Sequence, residues 1–270
     1  MYSPEFMMEN EQEALRLDLK TDPQAVKQQA LWAGLKPDMN VADLGCGAGI
    51  TTHCLRQVLS AEANIYGVDF SQQRIDYAKK HYSGNGITYL LKDIRDPSLQ
   101  DLGGFDFIWI RFVLEYYYSQ AFSILENVIK TLNPGGILCL IDLDHNCLCH
   151  YGLPARLMNT ISGIIEHLHR TRDFDPYAGR RLYSFLYDLG MHQIDVNVSA
   201  HNVYYGQIPE NQVFNSLKKL EVAGKNSGYG FEEYGGDYQL FLHEFTSIFF
   251  NSRRFSYTPL VSCRGFLPLE

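Results

Sequence analysis

The chain has 270 residues, 46% of them hydrophobic, and 23 Lys+Arg against 31 Asp+Glu give a formal net charge of −8. That balance counts against a nucleic-acid backbone binder, which needs a basic footprint to displace counterions. No apolar run approaches the ~20 residues that cross a bilayer. The opening MYSPEFMMENEQEALRLDLK lacks a basic start followed by an apolar stretch, so it does not read as a secretory signal. Cys46, Cys54, Cys139, Cys147, Cys149 and Cys263 are too few for a disulfide framework in a chain of this length and read as the reduced thiols of a cytoplasmic protein.

Strand and helix signals alternate from the start. Asp22-Pro23 pairs an N-cap with a proline at the first helical position, predicting a helix over 23–34. Val41 to Leu44 is a short strand that runs into Gly45-Cys46-Gly47-Ala48-Gly49, followed by a helix over 50–60. A strand over 64–69, a helix over 71–81, and strands over 87–92 and 105–111 come next. The pattern continues with a helix over 117–132, the turn Asn133-Pro134-Gly135-Gly136 and an apolar strand over 137–143. Such alternation specifies a doubly wound, mostly parallel α/β sheet.

After residue 145 the rhythm changes. Leu157, Met158, Ile161, Ile164, Ile165 and Leu168 share one helical face, and a second helix containing Leu182, Phe185, Leu186 and Leu189 stops at Gly190. Strand character returns over 194–203 and 257–265, while 207–250 is aromatic-rich and helical in pattern. The chain is therefore read as an N-terminal segment, 1–20, acting as a lid, and one domain over 21–270 with helical cap insertions at 146–177 and 207–254.

Three acidic positions accompany the glycine cluster. Asp43 precedes the loop, whose glycines allow a tight turn and close backbone approach, and the following helix start supplies free amide donors. A dinucleotide-binding loop has its third glycine three residues after the second; here that residue is Ile50, and the glycine comes one position earlier, at Gly49. A glycine-rich turn with no ligand is the plain alternative. Asp69 ends the second strand, where a carboxylate can accept both hydroxyls of a ribose; its alternative is a cap for the next helix, a role Ser71 also suits. Asp93, ending the third strand beside Ile94, can accept an exocyclic amine.

Together VADLGCGAG (41–49), YGVDFS (66–71), LKDI (91–94), FDFIWIRFVLEYY (105–117) and LNPGGILCLID (132–142) resemble a class I S-adenosylmethionine-dependent methyltransferase, closest in flavour to small-molecule enzymes of the quinone-biosynthesis type. The resemblance covers about 20–145. It implies a Rossmann-like seven-stranded sheet with an antiparallel last strand, and S-adenosylmethionine as cofactor. It further implies that Asp43, Gly45, Cys46 and Gly47 hold the methionine moiety, Asp69 the ribose, Phe70 and Ile94 the faces of adenine, and Asp93 its amino group. The main-chain carbonyl of Arg111 would meet the methionine ammonium. The implied partner is a small, apolar or aromatic substrate; a homodimer is left open. A non-catalytic binding protein on the same fold and an NAD-binding oxidoreductase are the alternatives.

Methyl transfer from a sulfonium asks the protein mainly for alignment and exclusion of water, with a base only where the acceptor must lose a proton. Candidates for that role are His145, in the segment DLDHNCLCHY (142–151), and Glu115 and Tyr116 after the fourth strand. Packing and capping compete with catalysis at all three. Asp144 with Asn146 lacks an acidic partner at the end of strand four for a metal, and Cys147-x-Cys149-His150 lacks a second ligand pair for zinc, so no metal site is expected. Leu240, Phe241, Phe245, Ile248 and Phe249 have the spacing of a core stripe, and Tyr204, Tyr205, Tyr229, Tyr234 and Tyr238 are candidates to line a substrate pocket.

Overall fold

The computed structural model describes residues 17–18, 21–207 and 227–269, together with Val213, Leu217, Leu220 and Gly224. The first 16 residues, most of the expected lid, lie outside the described residues, as does most of 208–226. The helices are α1 (Pro23–Ala33), α2 (Ile50–Arg56), α3 (Gln72–His81), α4 (Ala121–Val128), α5 (Ala155–Thr171), α6 (Ala178–Asp188) and α7 (Tyr238–Ser247). The strands are β1 (Val41–Leu44), β2 (Ile65–Asp69), β3 (Ile87–Leu91), β4 (Phe105–Arg111), β5 (Leu132–Leu143), β6 (His150–Tyr151), β7 (His192–Tyr205) and β8 (Phe255–Phe266).

The strands form one sheet in the order β3-β2-β1-β4-β5-β8-β6, with β7 also paired to β8. β1 to β5 are mutually parallel, while β8 runs antiparallel to β5, β6 and β7. This is the expected doubly wound sheet with antiparallel strands at its C-terminal side, enlarged by the two-residue β6. β1 pairs with both β2 and β4, so the strand order reverses there and opens a crevice at the carboxyl ends of those strands.

Alternation along the strands divides the core. Phe105, Ile108, Ile110, Leu138 and Leu140 pack with α4 and α6 on one face, and Val41, Phe107, Trp109, Ile137 and Cys139 pack with α1 and α2 on the other. Leu157, Ile161, Ile164, Phe231, Phe241 and Phe245 form a separate apolar cluster, which makes the cap. Leu240, expected in the same stripe, is exposed; the stripe proper is Phe241, Phe245, Ile248 and Phe249.

Several boundaries differ from expectation for local reasons. α4 begins at Ala121 and not near 117, because Leu114–Tyr116 forms a 3-10 turn and Tyr117 sits at φ −136°, outside helical space. α2 ends at Arg56, whose guanidinium turns to the carbonyls of Ser60 and Asn85. Asn133 to Gly136 does bulge, but within β5, where Gly135 donates to the Leu267 carbonyl and Leu267 donates to that of Gly136. Ser71 occupies the N-cap position of α3 without a capping side-chain bond. All six cysteines are free thiols, and among the described residues no helix is long and apolar enough to cross a membrane.

Candidate active site

The crevice at the ends of β1, β2 and β4 holds a cleft with about 860 Å³ of space between its atoms, counting its open mouth. Its walls are the glycine loop (Gly45 to Ala48), the end of β2 (Asp69, Phe70), Ile94 after β3, and Arg111 to Val113 with Tyr116 and Tyr117 after β4.

The loop can take this path only with glycine. Gly45 has φ +82°, and a Cβ there would stand 2.3 Å from Val113 Cγ2 on the opposite wall. Gly49, at φ +90°, precedes α2 and lies so close to Ala78 that a Cβ would meet it at 2.7 Å. Two glycines thus let a βα turn pass between β4's loop and α3.

Two carboxylates organise the loop from different sides. Asp69 accepts the Gly47 peptide N–H at 2.9 Å through Oδ2 and the Ser71 N–H at 3.0 Å through Oδ1, which orients it on the cleft wall. Arg74 approaches the same carboxylate at 4.0 Å. Asp43 is buried beneath the loop, off the wall, with Thr52 Oγ1 donating to its Oδ2 at 2.6 Å. Burial pushes its pKa up to about 7, against the lowering effect of the Thr52 bond.

Ile94 and Phe70 line the cleft, and Asp93 does not. Its carboxylate takes a bidentate grip from Arg95 at 2.5–3.0 Å. Burial raises its pKa and these bonds, prevailing, hold it below the usual range. A group so engaged is not offered to an amine in the cleft.

After β4 the two candidates part. Tyr116 lines the cleft and also packs against the cap, its ring 6.0 Å from that of Phe174. Glu115 is buried behind it: its N–H donates to Asp142 Oδ2 at 3.1 Å, and its Oε2 accepts from Asn146 Nδ2 at 2.6 Å. Burial, then the Glu115 charge, drives the Asp142 pKa well above the carboxylate range. His145 is exposed, at φ +46°, with its ring edge-on to Tyr177, and is not part of the wall. Asp144 beside it is held by Arg180 at 2.8 Å.

The candidate pocket tyrosines also lie off the wall: Tyr234 hydroxyl donates to Glu244, Tyr229 to Glu233, Tyr238 packs on Phe231, and Tyr205 is exposed. Sequence reasoning missed Thr21, Ile50, Thr51 and Arg74 as lining groups, and Leu17, from the segment read as a lid, lines the cleft with them. Leu17 arrives from the N-terminal segment, whose Asp18 accepts hydrogen bonds from the hydroxyls of Tyr77 on α3 and Tyr82 just past its end.

Comparison with known proteins agrees with this geometry. Over 110 residues the chain is 33% identical to a carboxy-S-adenosyl-L-methionine synthase of Actinobacillus succinogenes, a match covering 38% of this chain and 44% of that one. The chain thus aligns with less than half the length of that relative. A ubiquinone biosynthesis O-methyltransferase of Colwellia psychrerythraea is 25% identical over 66% of this chain and 69% of its own. Among solved structures, phosphoethanolamine N-methyltransferase 2 of Haemonchus contortus superposes with a TM-score of 0.58 at 12% identity, covering 99% of this chain and 61% of that one, which establishes likeness of fold. The model of the methyltransferase domain family matches residues 35–187, more than half of the sequence, and the chain belongs to that family, the class I S-adenosylmethionine-dependent methyltransferases.

Proposed function

We propose that the chain transfers a methyl group from S-adenosylmethionine to a small, apolar or aromatic acceptor. The observation that carries this is the convergence, at one crevice, of the glycine loop, the oriented Asp69 carboxylate, the apolar pair Phe70 and Ile94, and the Arg111 cation. These residues fit a nucleoside that carries an amino acid. Both Asp69 oxygens are oriented by amides on the cleft wall, where a carboxylate can accept ribose hydroxyls. Phe70 and Ile94 offer apolar surface to a base.

When bound, the cofactor supplies a methyl group on a sulfonium with a neutral leaving group, so the protein's share is positioning. Tyr116 and Tyr117 narrow the cleft on the cap side and exclude water from it. Glu115 acts as a positioning residue: bonded to Asp142 and Asn146, it fixes the turn that aims Tyr116. The acceptor enters past Tyr116, the residue shared by cleft and cap, and Leu17 closes the glycine-loop side.

The test is isotope transfer from methyl-labelled S-adenosylmethionine into a cell extract fractionated by size. Label is expected in the small-molecule fraction. Label confined to protein or RNA would overturn the small acceptor, and no transfer despite cofactor binding would favour a non-catalytic binding protein.

A further inference from the structure

Arg111 is the last residue of β4. Phe107 and Trp109, on the same face of that strand, belong to the core under α1 and α2, and Asp43 is the cross-strand partner of Trp109. Two residues on, the Arg111 side chain leaves that core on the same face and enters the cleft wall beside the glycine loop.

There the guanidinium makes no hydrogen bond or ion pair with the described residues, and its Nε is buried without a partner. The acids whose charges it feels are satisfied elsewhere, Asp43 by Thr52, Asp142 by the amides of Glu115 and Leu143, and Asp22 by the amide of Gln24. It stacks on a ring: the Phe112 ring centroid lies 4.1 Å from Cζ, placed there by a left-handed backbone at Phe112, φ +59°. Non-glycine residues adopt that conformation at a cost, and such strain gathers at ligand sites. Burial lowers the Arg111 pKa to about 10, so it keeps its charge at neutral pH.

A cation stacked on a ring presents its in-plane N–H edge, and that fork matches the two oxygens of a carboxylate. We propose that Arg111 is the docking point for a carboxylate in the cleft, supplied either by the amino-acid end of the cofactor or by an acidic methyl acceptor. The proposal deepens the methyltransferase reading and rests on it for the choice of nucleoside probes.

Calorimetric titration of wild type, Arg111→Lys and Arg111→Gln, each first shown to be folded by its thermal transition, tests it. The probes are S-adenosylhomocysteine, its decarboxylated form S-adenosyl-3-thiopropylamine, and benzoate added to protein saturated with the latter. If the cofactor supplies the carboxylate, R111Q weakens S-adenosylhomocysteine roughly 10- to 100-fold and leaves the decarboxylated form unchanged, with R111K between. If the acceptor supplies it, R111Q binds both nucleosides like wild type but loses benzoate. Equal weakening of both nucleosides, or no change with any probe, would overturn the proposal. If wild type binds neither nucleoside, the methyltransferase reading fails by itself, and benzoate titrated into the free protein and into R111Q still decides Arg111.

Discussion

The peptide N–H of Gly47 donates to Oδ2 of Asp69 at 2.9 Å, and this bond ties the glycine loop after β1 to the end of β2. It ties the course of the loop to the carboxylate that the proposed function assigns to the ribose. Asp69→Asn keeps one acceptor but turns an NH2 toward either Gly47 or Ser71, both donors. S-adenosylhomocysteine affinity should fall by at least 10-fold, with a loss of roughly 1–3 kcal/mol in stability for the unpaired buried amide. Calorimetry and denaturant unfolding check the two effects separately.

Gly45 and Val113 face each other across the cleft floor. Gly45→Ala places a methyl 2.3 Å from Val113 Cγ2 at a φ of +82°. The expected cost is about 2–4 kcal/mol, part steric and part backbone. Adding Val113→Ala should return the steric part only, so the double variant recovers some but not all of the lost stability in urea unfolding.

Asp43 gives a pH dependence of definite sign. Its pKa is raised in the folded state to about 7 from 3.8. The unfolded chain therefore ionises first as pH rises, and this group's contribution to stability is full below about 4, falls between 4 and 7, and is level above 7. Asp43→Asn keeps an acceptor for Thr52 and cannot ionise. Relative to wild type it should gain stability across that window, by up to about 4 kcal/mol. Unfolding measured from pH 4 to 8 would show parallel curves if the carboxyl were not perturbed.

His145 and Tyr116 should separate cleanly. His145→Ala removes an exposed ring that does not reach the cleft, and methyl-transfer kcat and KM are expected within twofold of wild type. Tyr116→Ala opens the wall between cleft and cap, and kcat/KM is expected to fall at least 10-fold with stability changed less than by a core truncation. Steady-state kinetics on an acceptor found by isotope transfer tests both.

Most of the sheet was legible because strand and helix periods alternate with strong breakers between them; β4 was read to the residue. Boundaries that depend on tertiary partners were not, as at Tyr117, whose buried ring holds the chain out of helix until Ala121. The glycine loop and Asp69 could be read from spacing, and Gly49 in place of a later glycine separated this loop from the dinucleotide type. The pairing of Asp93 was not read, although Arg95 stands two residues away in the sequence, a spacing that allows the bidentate pair seen here. The direction of His145 was not legible because strand-end position does not fix it: a left-handed backbone turns the ring toward Tyr177. Arg111 was read only through its carbonyl; that its side chain has no hydrogen bond or ion pair among the described residues depends on where Asp43 and Asp142 find their own partners.

Titration of wild type and Asp69→Ala with S-adenosylhomocysteine tests the central claim most directly. The account predicts one site per chain in wild type and its loss, or a weakening beyond 10-fold, in the variant. Absence of binding to wild type, or equal affinity for the folded variant, would contradict it.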